Sequence, residues 1–179
     1  MKKIDVEITG IAPLLHNRYA TEENGVNKSK KKKKEYIPEE EAKKSLYILG
    51  DGSYYSPSEH ILQSIIKASS AFTFEGKKTY KDLMQSGILI EPDAIPLITE
   101  GYEIDARPVV IQRARVMCWR PKFNKWKLQF TLTILDSENI GIPTMKEILD
   151  NAGLTKGIGT YRPRFGRFQV TKFQEIEVS

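Results

Sequence analysis

The chain has 179 residues, 40% of them hydrophobic, with 28 Lys and Arg against 23 Asp and Glu. That apolar content supports a real core and excludes a disordered chain, and the length sets one domain as the expectation. The single cysteine, Cys118, with only His16 and His60 besides, excludes an internal disulfide and a cysteine-built zinc cage, so neither metal nor cofactor is expected.

No apolar run reaches the length of a membrane span, and the N-terminus opens directly on strand-like alternation without a signal peptide, which sets a cytoplasmic protein as the expectation. The net charge of +5 is unevenly placed. Between Arg107 and Lys172 stand thirteen Lys and Arg against four Asp and Glu, and seven of the eight arginines fall between 107 and 167. The rest of the chain is net acidic. Such segregation predicts an electropositive face for a polyanion.

In chain order, Ile4, Val6 and Ile8 alternate with polar residues and predict a half-buried first strand over 2–9. Gly10-Ile-Ala-Pro-Leu-Leu-His-Asn leaves the sheet, with Leu14 and Leu15 tucked under the core. Residues 18–38, containing Lys31, Lys32 and Lys33, cannot bury anything. They read as a mobile basic loop, either solvated or closing over a phosphate backbone. A short helix is expected over Glu39–Ser45, then a small hairpin through Gly50-Asp-Gly. Ser56, Pro57 and Glu59 predict a capping box opening a helix to Ala71, with Ile61, Leu62, Ile65 and Ile66 inward. Residues 73–106 read as an irregular insertion broken by prolines.

Pattern returns with strands at Val109–Trp119 and Lys125–Leu135, joined by a hairpin at Arg120-Pro-Lys-Phe-Asn. In the second, Trp126, Leu128, Phe130, Leu132 and Ile134 face one way. A helix follows from Gly141 to Asn151, with Gly153 as its stop, and a final strand runs over Phe168–Val178. The order β-α-β-β-α-β predicts an α+β, ferredoxin-like (RRM-like) antiparallel sheet, with insertions at 16–55 and 73–106. Fold alone does not fix function.

Between the last helix and the last strand lies Gly157-Ile-Gly-Thr-Tyr-Arg-Pro-Arg-Phe-Gly-Arg-Phe168. Bare backbone beside guanidinium groups and rings suits a nucleic-acid backbone and its bases. The bland reading is a Gly-rich turn with solvated arginines. On the functional reading Arg162, Arg164 and Arg167 meet phosphates, aided by amides from Gly157 to Thr160, while Tyr161 and Phe165 stack on bases. Arg113 and Arg115 interrupt an apolar strand face. Arg120, Lys122 and Lys127 extend the basic surface, and Trp119 or Phe123 adds a ring.

The loop, on this fold order, resembles that of the RAMP superfamily of CRISPR systems, repeat-associated RNA-binding proteins that carry Gly-x-Gly, a spacer and a second Gly-x-Gly. Gly157, Gly159 and Gly166 match, and Phe168 stands where the last glycine would be. Gly10-Ile-Ala-Pro-Leu-Leu, Tyr55-Ser-Pro-Ser and Ile65-Ile-Lys-Ala are similar to places in backbone subunits that polymerise along a guide RNA. A phage or prophage relative fits the same pattern. The resemblance implies binding of single-stranded RNA or DNA without catalysis, as a homo-oligomer or filament subunit, in a bacterial, archaeal or phage-infected cell. It also implies an alternative, since some members are metal-independent endoribonucleases. Their general acid–base role would fall here on His16 and His60, with Tyr54, Tyr55 and Lys67 as helpers.

Overall fold

The computed structural model describes residues 1–19, 37–111 and 113–177. The lysine tract with Lys31, Lys32 and Lys33 lies outside the described residues. Strand β1 (Lys2–Gly10) buries Ile4, Val6 and Ile8 completely, as its alternation requires. Leu14 and Leu15 are also fully buried, and they form a short strand, β2 (Leu14–Leu15), paired with Phe123 and Lys122. Helix α1 (Pro38–Lys44) has proline in its first turn, acids at Glu39, Glu40 and Glu41 and lysines at its end, in keeping with the helix dipole.

The predicted capping box does not form. Ser56 belongs to β3 (Tyr55–Pro57), which pairs with Ala94–Pro96 and turns the serine into the core at 0% exposure. Helix α2 (Ser58–Ser69) starts two residues later with no side-chain cap, and the Ser58 amide donates to the Asp93 carbonyl at 2.8 Å. It buries Ile61, Ile65 and Ile66 with the small residues Ser64, Ala68 and Ser69.

Residues 73–106 are not an irregular insertion. They contain the hairpin β4 (Thr73–Glu75) and β5 (Lys78–Thr79), helix α3 (Lys81–Gly87), and strands β6 (Ile88–Glu91) and β7 (Ala94–Thr99). Pro92, between the last two, cannot continue the ladder, so one sheet position is filled by two short strands. Next comes a long hairpin, β8 (Glu103–Ile111) and β9 (Ala114–Phe123). The strand expected at 109–119 is therefore cut by the hairpin turn, where Arg113 takes φ 68°. Nor do Arg120–Asn124 join two paired strands. β9 pairs with β8 and β2, whereas β10 (Trp126–Ile134) lies in the main sheet. In β10 the alternation holds: Trp126, Leu128, Phe130, Leu132 and Ile134 are all buried.

Helix α4 (Ile142–Thr155) buries Met145, Ile148 and Leu149 and runs past Gly153. That glycine is not a stop. A Cβ there would collide with the Phe168 carbonyl, so it is a point of close approach to β11 (Phe168–Ile176). The stop is Gly157, at φ 68°, whose amide donates to Ala152 O at 2.9 Å.

The main sheet runs β11-β1-β10-β7-β3, with β6 also on β10. Counting β6 and β7 as one interrupted strand gives the ferredoxin-like order, fourth-first-third-second. It is the β8–β9 hairpin, between the second and third of these strands, that is inserted. One face of the sheet, with α2 and α4 against it, holds a single continuous core. The other face is open, and two of its lysines are paired: Lys172 with Asp5 at 2.6 Å and Lys127 with Glu7 at 3.5 Å. Hydrogen bonds from Thr171 and then Gln129, with the Lys127 charge, hold the Glu7 carboxyl below its ordinary range. Among the described residues no helix is long and apolar enough to cross a membrane, and no three His, Cys, Asp or Glu gather as metal ligands.

Candidate nucleic-acid interface

The loop from Gly157 to Arg167 sits at the end of the sheet where β1 finishes and β10 and β11 begin. Its glycines serve the backbone. Gly159 and Gly166 both have φ 78°, and a Cβ at either would strike a carbonyl oxygen, of Leu15 and Ile158 respectively. Three of the four amides predicted to cradle phosphate, those of Gly157, Ile158 and Thr160, are already engaged. Ile158 N donates to Gly166 O at 2.9 Å and Thr160 N to Leu15 O at 3.2 Å. Gly166 N donates to Pro13 O at 2.8 Å, and Arg167 O accepts from Ile11 N at 2.9 Å. The Gly-rich segment is thus stitched to residues 11–15 and presents side chains to solvent. Most of the amides predicted for a phosphate nest are thereby committed to the fold.

The side chains presented are Tyr161, Arg162, Arg164 and Arg167, all exposed. Tyr161 is held at φ 61° and keeps 43% of its surface open. Beside them lies a groove of about 590 Å³ lined by Lys67, Thr155, Lys156, Thr160, Tyr161 and Arg162 among others. Lys67 comes from the last turn of α2 and Lys156 from the C-cap of α4, so both helix ends deliver a cation to the loop. Among the described residues these two lysines and Arg162 form no ion pair.

Phe165 is not available to a base. It is 6% exposed, and the Arg107 guanidinium covers its ring at 4.6 Å. Arg107, which sequence reasoning did not single out, also lies 5.5 Å from the Tyr161 ring and pairs with Asp105 at 2.6 Å. Phe123 is fully buried and adds no exposed ring, while Trp119 is half-buried on β9.

The remaining predicted cations disperse. Lys127 is on the open sheet face, tied to Glu7. Lys122 is half-buried and pairs with Glu103 at 3.2 Å. Arg120 is only 9% exposed, so it does not extend the basic surface. Arg113 and Arg115 are exposed towards the hairpin tip, with Arg115 opposite Val110, about 10 Å along the strand from Arg107, and Arg113 farther out. Hence the structure joins Tyr161 and Arg162 with Lys67 and Lys156 along the groove, carries Arg164 and Arg167 on the same exposed loop, and separates the others from them.

His16 and His60, far apart in sequence, meet across one ring. Tyr47 is edge-on to both, at 5.1 Å from His16 and 5.5 Å from His60, and 5.4 Å from Tyr55. Burial, with a smaller contribution from His60, lowers His16 to about 3. Burial and then the Arg162 charge lower His60. Both are neutral imidazoles at pH 7. Tyr54 packs among Tyr102 and Phe123 as core.

An antiparallel ferredoxin-like sheet with two helices on one face and a cationic loop at one end defines the class of this protein. No protein-family profile and no curated protein matches the sequence. In three dimensions it is similar to a chain in the cryo-EM structure of the Type III-B Cmr-beta bound to cognate target RNA. The TM-score is 0.64 at 9% identity, over 99% of this chain and 61% of that one. The present chain thus spans about three-fifths of that neighbour's length, and the likeness is one of fold.

Proposed function

We propose that this chain binds single-stranded RNA without cleaving it, as one subunit of a nucleoprotein assembly of the repeat-associated, RAMP type. The observation that carries the reading is the contrast between two surfaces. Lys127 and Lys172 of the open sheet face are matched by carboxylates, whereas among the described residues Lys67, Lys156 and Arg162 converge unmatched on a groove beside an exposed tyrosine. Unpaired cations along a groove track a phosphate backbone, and a ring beside them offers a base a stacking partner. The fold shared with a chain of an RNA-bound assembly supports RNA over DNA. Among the described residues strand β11 ends the sheet with an unpaired edge, on which copies can add.

The test is a mobility shift of labelled single-stranded RNA, single-stranded DNA and duplex DNA at two salt concentrations, with the nucleic acid recovered afterwards. A salt-sensitive shift of single-stranded RNA, weakened by Arg162→Ala with Arg164→Ala and returning intact RNA, is the expected result. Binding unchanged in the double variant would remove the loop from the site. A second reading, endoribonuclease, has one observation in its favour: His16 and His60 converge on Tyr47 close to Arg162. Against it stands burial, since His16 keeps 1% of its surface and a general base must reach a 2′-hydroxyl. Cut RNA in the recovered sample would reverse the preference.

A further inference from the structure

One face of the β8–β9 hairpin carries charges in register. Glu103 stands opposite Lys122, Asp105 opposite Arg120 and Arg107 opposite Cys118. Directly opposed residues share a face of the sheet, as do residues two apart on one strand. Three cations and two carboxylates therefore lie together, on the face where Arg107 meets the loop. Glu103 is taken by Lys122 at 3.2 Å. Asp105 gives both its oxygens to Arg107, one accepting from Nε at 2.6 Å and the other from Nη2 at 3.0 Å. Arg120 pairs with neither carboxylate. Its Nε and Nη1 are buried without a hydrogen-bond partner, and the residue keeps only 9% of its surface.

A buried guanidinium without an acceptor is rare and strongly unfavourable, and arginine cannot relieve it by losing a proton. The cluster is short of one negative charge. We propose that Arg120 and Arg107 form a receptor for one phosphate-type anion on the hairpin side of the loop, with Asp105 as its guard. Two arrangements balance the charges. Either the anion takes Arg120 directly, or it takes Arg107 and Asp105 turns to Arg120, its cross-strand neighbour. A phosphate or phosphodiester offers the paired oxygens that a guanidinium fork matches.

Tyr161 lines the groove on one side of the loop and lies 5.5 Å from Arg107 on the other. On the RNA-binding reading, on which this source of the anion rests, a strand seated in the groove crosses Tyr161 and sets a further phosphate in the hairpin site. Free inorganic phosphate is the other source of the same chemistry.

Two measurements on the full chain separate them. Thermal unfolding in graded inorganic phosphate, against chloride of equal ionic strength, reads the anion alone. Titration with a single-stranded RNA oligonucleotide across salt concentrations reads the phosphodiester. Phosphate should raise the wild-type midpoint above the chloride control, and Arg120→Met, which fills similar space without charge, should abolish the rise. In chloride that variant should melt at or above the wild type. With RNA it should lower the salt slope by about one unit. Asp105→Asn, which leaves two arginines unmatched, should strengthen the phosphate response several-fold.

Equal phosphate responses in wild type and Arg120→Met overturn the proposal. Should free phosphate have no effect on the wild type, the RNA slopes decide, and equal slopes overturn it. A phosphate response without RNA binding leaves the receptor standing and removes the RNA reading instead. Neither response in the wild type removes both. If Arg120→Met does not fold, Asp105→Asn decides, and an unstrengthened response overturns the receptor.

Discussion

The Arg107 guanidinium covers the Phe165 ring at 4.6 Å, and this contact joins the inserted hairpin to the Gly-rich loop. Two segments that read separately in sequence are one unit: Asp105 fixes Arg107, Arg107 covers Phe165, and Phe165 anchors the loop whose arginines face solvent. The two loop aromatics should therefore separate on mutation. Phe165→Ala empties a buried position and should lower stability by about 3 kcal/mol. Tyr161→Ala should change stability by less than about 1 kcal/mol, yet weaken RNA binding by roughly 1–3 kcal/mol through lost stacking. Chemical denaturation and an RNA titration on both variants check this, and equal effects on stability would contradict the assignment.

Gly166 makes the sharpest demand on sequence. It combines φ 78° with a backbone position where a Cβ would enter the Ile158 carbonyl. Gly166→Ala should cost at least about 2 kcal/mol, the sum of left-handed strain and a contact with main chain that cannot move aside. Gly50 has open space around it and no positive φ, so Gly50→Ala should be close to neutral. Urea denaturation of the pair gives the comparison.

The central strands were legible because burial on one face imposes a period of two, which β1 and β10 display without interruption. The second sheet strand was not, because Pro92 divides it and its halves are too short to show alternation. The β8–β9 hairpin was misread for the opposite reason. Both its strands are rich in β-formers, and nothing in Val110-Ile-Gln-Arg-Ala marks a turn, so two strands read as one. Arg162 and Arg164 could be found from their position in a Gly-rich loop. Lys67 and Lys156 could not be placed in the same groove, because only the crossing of α2 and α4 brings their last turns together. Burial of Phe165 and Arg120 was equally hidden, since both depend on how the hairpin meets the loop.

The groove and the open sheet face should differ in salt dependence. Lys67→Ala with Lys156→Ala removes two unpaired cations from the groove and should lower the slope of log affinity against log salt by about 1–2 units. Lys127→Ala with Lys172→Ala removes two lysines already matched by Glu7 and Asp5, and should leave the slope within error of the wild type. The same slope loss in both double variants would mean that RNA runs over the sheet and not along the loop.

Acid should lower the stability of the fold through its buried histidines. His16 is held at about 3 in the folded protein against an ordinary value of 6.5, chiefly by burial, so the unfolded chain binds the proton more readily. Stability from this group is complete above pH 6.5 and falls as pH drops from there towards 3. By linkage the loss between pH 7 and pH 5 is about 2 kcal/mol. His60 is shifted the same way and adds to the decline. Glu7, Glu103, Asp51 and Asp136 are also lowered, by hydrogen bonds, but from ordinary values near 4, so they act only at lower pH. His16→Phe keeps an aromatic ring against Phe123 and Tyr47 while removing the titration. It should flatten the profile of unfolding free energy between pH 6.5 and pH 5. An unchanged slope in that window would assign the acid sensitivity to His60 or to groups outside this cluster.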